Sequence, residues 1–269
     1  MTPVLVERGD SSIILGMPHP GTYVEDAVVS CLNETGLALA DTDWHLPRLY
    51  NGLLNGATVV RATFHRYMID ANRDPSGASL YPGQNTTGLC PTTDFDGRPI
   101  YKPGLEPSTV EIERRRQQYH APYHAALAAE IDRVRKRNGV AILYDCHSIR
   151  SHIPFLFDGR LPDFNIGTNL TTSCHPMIEA AVRDICADVT GLSSVVNGRF
   201  RGGWTTRHYG QPKAGVHAIQ MELAQLTYMQ ETPPWDYLPD VAVRTRTHLA
   251  TVLSALDALA CSGQLAPSQ

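Results

Sequence analysis

At 269 residues, 42% hydrophobic and 19% charged, the chain has the make-up of a folded globular protein, which excludes a disordered or fibrous one. Its formal net charge of -4 gives no electrostatic reason to bind nucleic acid or an anionic membrane, since both need a concentrated basic face. No run approaches the roughly eighteen uninterrupted apolar residues of a spanning helix, and the first ten residues lack the basic start and apolar stretch of a signal peptide, so a cytoplasmic location is expected.

In chain order, an apolar run at residues 12–16 predicts a buried strand that delivers Met17-Pro18-His19-Pro20-Gly21. Helical periodicity follows over residues 24–34 and 43–54, then a second strand over 57–63. Residues 74–107 are rich in Gly, Pro, Asn, Thr and Asp and show no period. A connection that long inside a compact domain is read as an active-site loop or lid. A helix is predicted over 107–137, a strand over 140–144 running into Asp145-Cys146-His147-Ser148, and a helix over 176–190. The last elements are a strand over 216–221 leading to Glu222, a helix over 241–259, and a frayed tail from 262 to 269. The arginines at 114–116 and the basic residues at 133–137 are expected on solvated helix faces. The six cysteines have no paired spacing, which suggests neither a disulfide framework nor a thiolate zinc site. Strands alternating with helices predict a single α/β domain over residues 1–269 with a largely parallel sheet.

Open α/β sheets bind ligands beyond the carboxyl ends of their strands, so the polar residues there are the ones to weigh. His19 and His147 each follow an apolar strand, and adjacent parallel strands would bring both imidazoles to one edge. Such a pair is a natural divalent-metal site, completed by a carboxylate and an open water position. Asp43, Glu25 and Asp145 are the candidate carboxylates. Asp43 is equally suited to cap a helix. Asp145, two residues before His147, is suited to support that imidazole from behind. Glu222 closes a buried strand, where desolvation raises a carboxyl pKa towards that of a general base. Arginines at 66 and 73 and at 199, 201 and 207 suggest a small anionic substrate, because guanidinium groups fork onto carboxylates.

Five motifs occur in order: Pro18-His19-Pro20-Gly21, Asp41-Thr42-Asp43-Trp44-His45, the run from Arg66-Tyr67-Met68-Ile69-Asp70 to Ala71-Asn72-Arg73-Asp74-Pro75, Asp145-Cys146-His147-Ser148, and Gly202-Gly203-Trp204-Thr205-Thr206-Arg207-His208-Tyr209-Gly210. Together they resemble the N-formylglutamate amidohydrolase (deformylase) family. The resemblance implies a three-layer α/β/α sandwich with a mostly parallel mixed sheet, phosphorylase/hydrolase-like and related to the zinc carboxypeptidases. It also implies release of formate from N-formyl-L-glutamate in histidine degradation, with one divalent ion, Zn2+ foremost, on His19, Asp43 and His147. Of the candidate carboxylates it selects Asp43 over Glu25. By the same likeness Glu222 is the base, and Arg66, Asn72, Arg73, Arg201, Thr205, Arg207 and Tyr209 form the substrate site. Pro20 departs from the serine common in the family's first motif. A metal amidase for another N-acyl amino acid or a peptidoglycan fragment, or a carboxylate-binding protein without catalysis, are the alternative readings.

Overall fold

The computed structural model describes residues 1–79 and 83–265. Seven strands form one mixed sheet in the order β1-β3-β2-β4-β7-β5-β6. They are β1 (Val4–Glu7), β2 (Ile13–Met17), β3 (Thr58–Ala62), β4 (Ala141–Ile149), β5 (Phe164–Gly167), β6 (Ser194–Val196) and β7 (Val216–Ala224). The central strands β3, β2, β4 and β7 are parallel, while β1 and β5 join them antiparallel.

Helices cover both faces, because the central strands are apolar on both. On one side, α3 (Leu46–Tyr50), α6 (Pro176–Ala187) and α8 (Pro239–Cys261) bury their apolar stripes on Ile13, Leu15, Met17, Ile142, Tyr144, Ile219 and Met221. On the other, α5 (Ala121–Asn138) lays Tyr123, Leu127, Ile131 and Val134, one helical face, on Ile14, Val60, Leu143 and Ala218. Gly139, in the left-handed region at φ 80°, ends α5 with its N–H on the Arg135 carbonyl. The helix expected over 107–137 is real but interrupted: α4 (Thr109–Arg115), capped by the Ser108 hydroxyl, passes through a π-helical turn at Arg116–His120 before α5 begins.

Other expectations need correction. The helix expected over 24–34 is two short ones, α1 (Asp26–Val29) and α2 (Glu34–Leu37), because Asn33 caps the second with its side chain and anchors to the carbonyls of Pro99 and Tyr101. Of the helix expected over 43–54 only α3 forms. His45 takes a left-handed conformation at its start and Asp43 is drawn elsewhere. Helix α7 (Trp204–Tyr209) and strands β1, β5 and β6 were not foreseen; each has six residues or fewer, too short for a period to register. Arg115 is buried, bonding to the Met68 carbonyl and the Tyr101 hydroxyl instead of facing solvent. In the tail, Leu265 packs into the core; residues 266–269 lie outside the described residues. The cysteines are unpaired, and no helix among the described residues is long and apolar enough to cross a membrane.

Candidate metal centre

The two central strands change character along one face. On the α5 side of β4, Ala141 and Leu143 give way to Asp145 and His147; on β7, Val216 and Ala218 give way to Gln220 and Glu222. The opposite face carries Ile142, Tyr144 and Cys146 on β4 and Ile219, Met221 and Leu223 on β7, so alternation gathers the four polar groups on one face at the carboxyl edge. Strand register sets His147 beside Glu222 and Asp145 beside Gln220, with Gly16 of β2 on Asp145's other flank. Both strands continue through these residues, further than their apolar runs indicated.

His19 stands two residues past β2, and its carbonyl accepts the Asp43 N–H at 3.1 Å. Asp43 Oδ2 in turn lies 3.2 Å from the Ser148 N–H, so backbone from two strand ends fixes this carboxylate. It does not cap a helix. Ligand atoms of His19, Asp43 and His147 all lie within 4.8 Å of one another, and all three residues are buried.

Their hydrogen bonds decide which ring nitrogens are available. His19 Nε2 sits 2.7 Å from Asp70 Oδ1; a carboxylate only accepts, so Nε2 carries the proton and Nδ1 keeps its lone pair. That Nδ1, buried and without a hydrogen-bond partner, faces Asp43 Oδ2 at 3.7 Å. His147 is placed in a comparable way but bonded differently: Nδ1 lies 3.3 Å from Asp43 Oδ2 and Nε2 3.1 Å from Asp145 Oδ1, ion-pair distances, while the hydrogen bond of Nε2 is with Asn72 Nδ2. Asp145 is braced by the Thr206 hydroxyl at 2.9 Å, and Asp70 by Arg66 Nη2 at 2.7 Å. His19 thus turns a bare nitrogen, and His147 its Nδ1, towards one anionic oxygen, and Asp43 Oδ1, 3.7 Å from Arg66 Nη1, is a further buried atom with no hydrogen-bond partner. This donor set fits a divalent ion, with the second-row carboxylates orienting the rings.

Charge states agree with that fit. Burial opposes ionisation of Asp43, yet its contacts with His147 and His19 hold it well below the usual carboxylate range. Burial likewise opposes a charge on His147, but Asp145 and Asp43 push its pKa well above the ordinary value, so a proton substitutes for a cation there. Glu222 is raised to about 8, chiefly by burial; its Oε2 accepts from Gln220 Nε2 at 3.0 Å.

An open cavity of about 620 Å³, including solvent at its mouth, lies over this cluster, with His19, His147 and Glu222 in its wall. Of the residues expected to bind substrate, Arg66, Asn72 and Arg73 line it. Arg66 is buried 4.6 Å from the centre of the Phe95 ring. Arg73 is steadied by the carbonyl and hydroxyl of Thr87 at 2.8 and 2.9 Å. Asn72 Nδ2 is 3.1 Å from His147 Nε2, and its Oδ1 accepts the Thr205 N–H at 2.9 Å. Gly203 makes this possible, since a Cβ there would stand 2.2 Å from Asn72 Nδ2. Arg201, Thr205, Arg207 and Tyr209 are not among the lining residues: Arg201 and Arg207 bond to the Gly198 and Gly202 carbonyls, Thr205 is fully buried, and Tyr209 meets His124. Glu25 is held by Arg114 and Tyr119 and contributes nothing to the ligand group. The cavity is also lined by Arg199 of the expected arginine group, by Asn85, Thr86, Thr87 and Phe95 of the long loop, and by Gln220, which had been given no role. Residues 80–82 of that loop lie outside the described residues.

A mixed sheet covered by helices, with a buried His-Asp-His group beyond the carboxyl ends of its parallel strands, defines an α/β protein with a site of the kind that can carry a metal. The family model of N-formylglutamate amidohydrolase matches residues 11–229, and the chain belongs to that family. N-formylglutamate deformylase of Pseudomonas putida is 49% identical over 250 residues, 93% of each chain. The protein of the same name from Pseudomonas aeruginosa is 49% identical over 251 residues, 93% of this chain and 94% of its own. In fold, the chain matches the crystal structure of N-formylglutamate amidohydrolase from Ralstonia eutropha JMP134 with a TM-score of 0.78 at 24% identity, over 98% of this chain and 100% of that one.

Proposed function

We propose that this chain hydrolyses N-formyl-L-glutamate to formate and L-glutamate, using one divalent metal ion, Zn2+ foremost, held by His19, Asp43 and His147. The observation that carries the reading is the convergence of these three buried ligands on one point beside Glu222, in a chain 49% identical to N-formylglutamate deformylases. An ion bound there would supply Lewis acidity for an attacking water and the formyl carbonyl.

Glu222, in the cavity wall beside His147 and raised in pKa, acts as the general base: it removes a proton from the attacking water and returns it to the departing glutamate nitrogen. Gln220, hydrogen-bonded to Glu222 Oε2, keeps that carboxylate turned to the cavity. Asn72 and Arg73 grip a substrate carboxylate, and Arg66, tied to Asp70, keeps the wall cationic while bracing the carboxylate behind His19. Arg201, Thr205, Arg207 and Tyr209 support that wall from outside the cavity. A place in histidine degradation follows from the substrate and belongs to the same reading.

The test is formate release from a panel: N-formyl-L-glutamate, N-formyl-L-glutamine, N-formyl-L-aspartate, N-acetyl-L-glutamate and a muramoyl peptide. The formylglutamate substrate is expected to have the highest kcat/KM, with the acetyl analogue reduced by about tenfold to two-hundredfold, as one added methyl allows. Preference for any other member would replace the substrate, and binding of formylglutamate without turnover by metal-replete protein would remove catalysis.

A further inference from the structure

Behind the wall that carries Asn72 and Arg73 lies a cluster of aromatic and imidazole rings that the reaction does not use. His120 ends the π-helical turn and His124 lies one turn later on α5, so both project from the same face, with ring centroids 4.3 Å apart. His124 Nε2 is 2.8 Å from the Ala71 carbonyl, and His120 Nε2 is 3.0 Å from the Arg73 carbonyl. A carbonyl oxygen can only accept, so both Nε2 atoms carry protons and donate them on either side of Asn72. In neutral His124 the other nitrogen, Nδ1, is then an acceptor, and the Tyr209 hydroxyl stands 3.0 Å from it. Trp204 packs on both imidazoles, at 5.8 Å from His120 and 4.6 Å from His124. The residue after it, Thr205, gives its N–H to Asn72 Oδ1.

We propose that His120 and His124 are positioning residues that clamp residues 71–73 from behind and so hold Asn72 and Arg73 in the cavity wall. The proposal rests on the reading above, in which those two side chains bind a substrate carboxylate. Asn72 is thereby gripped from several directions: its neighbours' carbonyls by the imidazoles, its own N–H by Asp70 Oδ1 at 2.8 Å, and its side chain by α7. The clamp gives Tyr209 and Trp204 a purpose that places neither against substrate. It also accounts for the π-turn: the extra residue in that turn shifts the register of α5, and such turns recur at functional sites. Burial lowers the pKa of both imidazoles, His124 to about 3, so they stay neutral across the working range.

The experiment compares His120→Phe and His124→Phe, which keep a ring and lose the donor, with His120→Gln and His124→Gln, whose Nε2–H can reach the same carbonyls. Leucine replaces phenylalanine should the larger ring prevent folding. Formate release, metal content and hydrogen exchange of residues 70–74 are read on the intact enzyme. Loss of one positioning bond is expected to raise KM for N-formyl-L-glutamate about tenfold with kcat and metal content within about twofold, and the Gln variants should recover most of it. Combined with the double replacement Asn72→Ala/Arg73→Ala, the Phe variants should add less than about twofold, since they act through those two side chains. Unchanged KM in both Phe variants, equal behaviour of Phe and Gln, or full multiplication with Asn72→Ala/Arg73→Ala would overturn the clamp. If Asn72→Ala and Arg73→Ala themselves leave KM unchanged, the substrate-binding reading fails instead. The clamp then stands or falls on whether exchange at residues 70–74 accelerates in the Phe variants.

Discussion

Replacing Glu222 by glutamine should stabilise the metal-free protein while removing most of its turnover. Burial lifts the Glu222 carboxyl from an ordinary 4.5 to about 8. Below pH 4.5 it is protonated whether the chain is folded or not, and there is no penalty. Between pH 4.5 and 8 the unfolded chain releases the proton and the folded one retains it, so stability falls as pH rises, by about 1.4 kcal/mol per pH unit. At pH 7 the penalty is about 3 kcal/mol. Glutamine cannot ionise, has nearly the same volume, and its amide oxygen can still accept from Gln220 Nε2. With an unfolding entropy of about 2 cal/mol/K per residue over 269 residues, the variant's Tm should rise by about 5 °C at pH 7 and coincide with the parent's near pH 4.5. Turnover should fall by about a hundredfold or more with bound metal retained. Calorimetry of chelated samples at both pH values, with formate release and metal analysis on the replete enzyme, tests all of this. A destabilised variant at pH 7, a Tm gap independent of pH, or near-normal turnover would refute the role of Glu222 as a desolvated base.

Asp145→Asn removes the carboxylate behind His147 Nε2 and should weaken metal binding by about tenfold to a hundredfold, measured by competition with a chelator; unchanged affinity would show that Asp145 does not orient the ring. Gly203→Ala places a methyl 2.2 Å from Asn72 Nδ2, so Asn72 must move. We expect a loss of at least about tenfold in kcat/KM, and wild-type kinetics would mean that the position of Asn72 is immaterial. Adding metal at about a hundred times its dissociation constant should stabilise the stripped protein by about 3 kcal/mol, read as a rise in Tm that is absent in His19→Ala; an equal rise in that variant would place the binding elsewhere.

Much of this site was legible before the fold was known, because its chemistry is attached to strong strand signals. His147 and Glu222 follow two of the runs read as buried strands, and those runs became the adjacent parallel strands β4 and β7. The spacing of two put Asp145 on the same strand face as His147, where it suited either a ligand or a support for that imidazole. Asp43 was less secure: in sequence it resembles a helix cap, and only the left-handed turn at His45 and the bond to the His19 carbonyl draw it to the imidazoles. Asp70 went unassigned because its partner His19 lies 51 residues away and no local pattern records such pairing. Tyr209 and Arg207 looked like substrate groups in a glycine-rich motif; a six-residue helix, too short to be periodic, turns Tyr209 towards α5 and Arg207 onto the Gly202 carbonyl. The small antiparallel strand β5 was hidden for a comparable reason, since four residues carry little alternation.

The most direct measurement is a zinc titration of chelator-stripped protein, following formate release from N-formyl-L-glutamate for the parent and for His147→Ala. Activity of the parent should start near zero and rise linearly to a plateau at about one ion per chain, the capacity of a single three-ligand site, while the variant stays near zero. Full activity before any metal is added, or the same recovery in His147→Ala, would contradict a metal centre built on His19, Asp43 and His147.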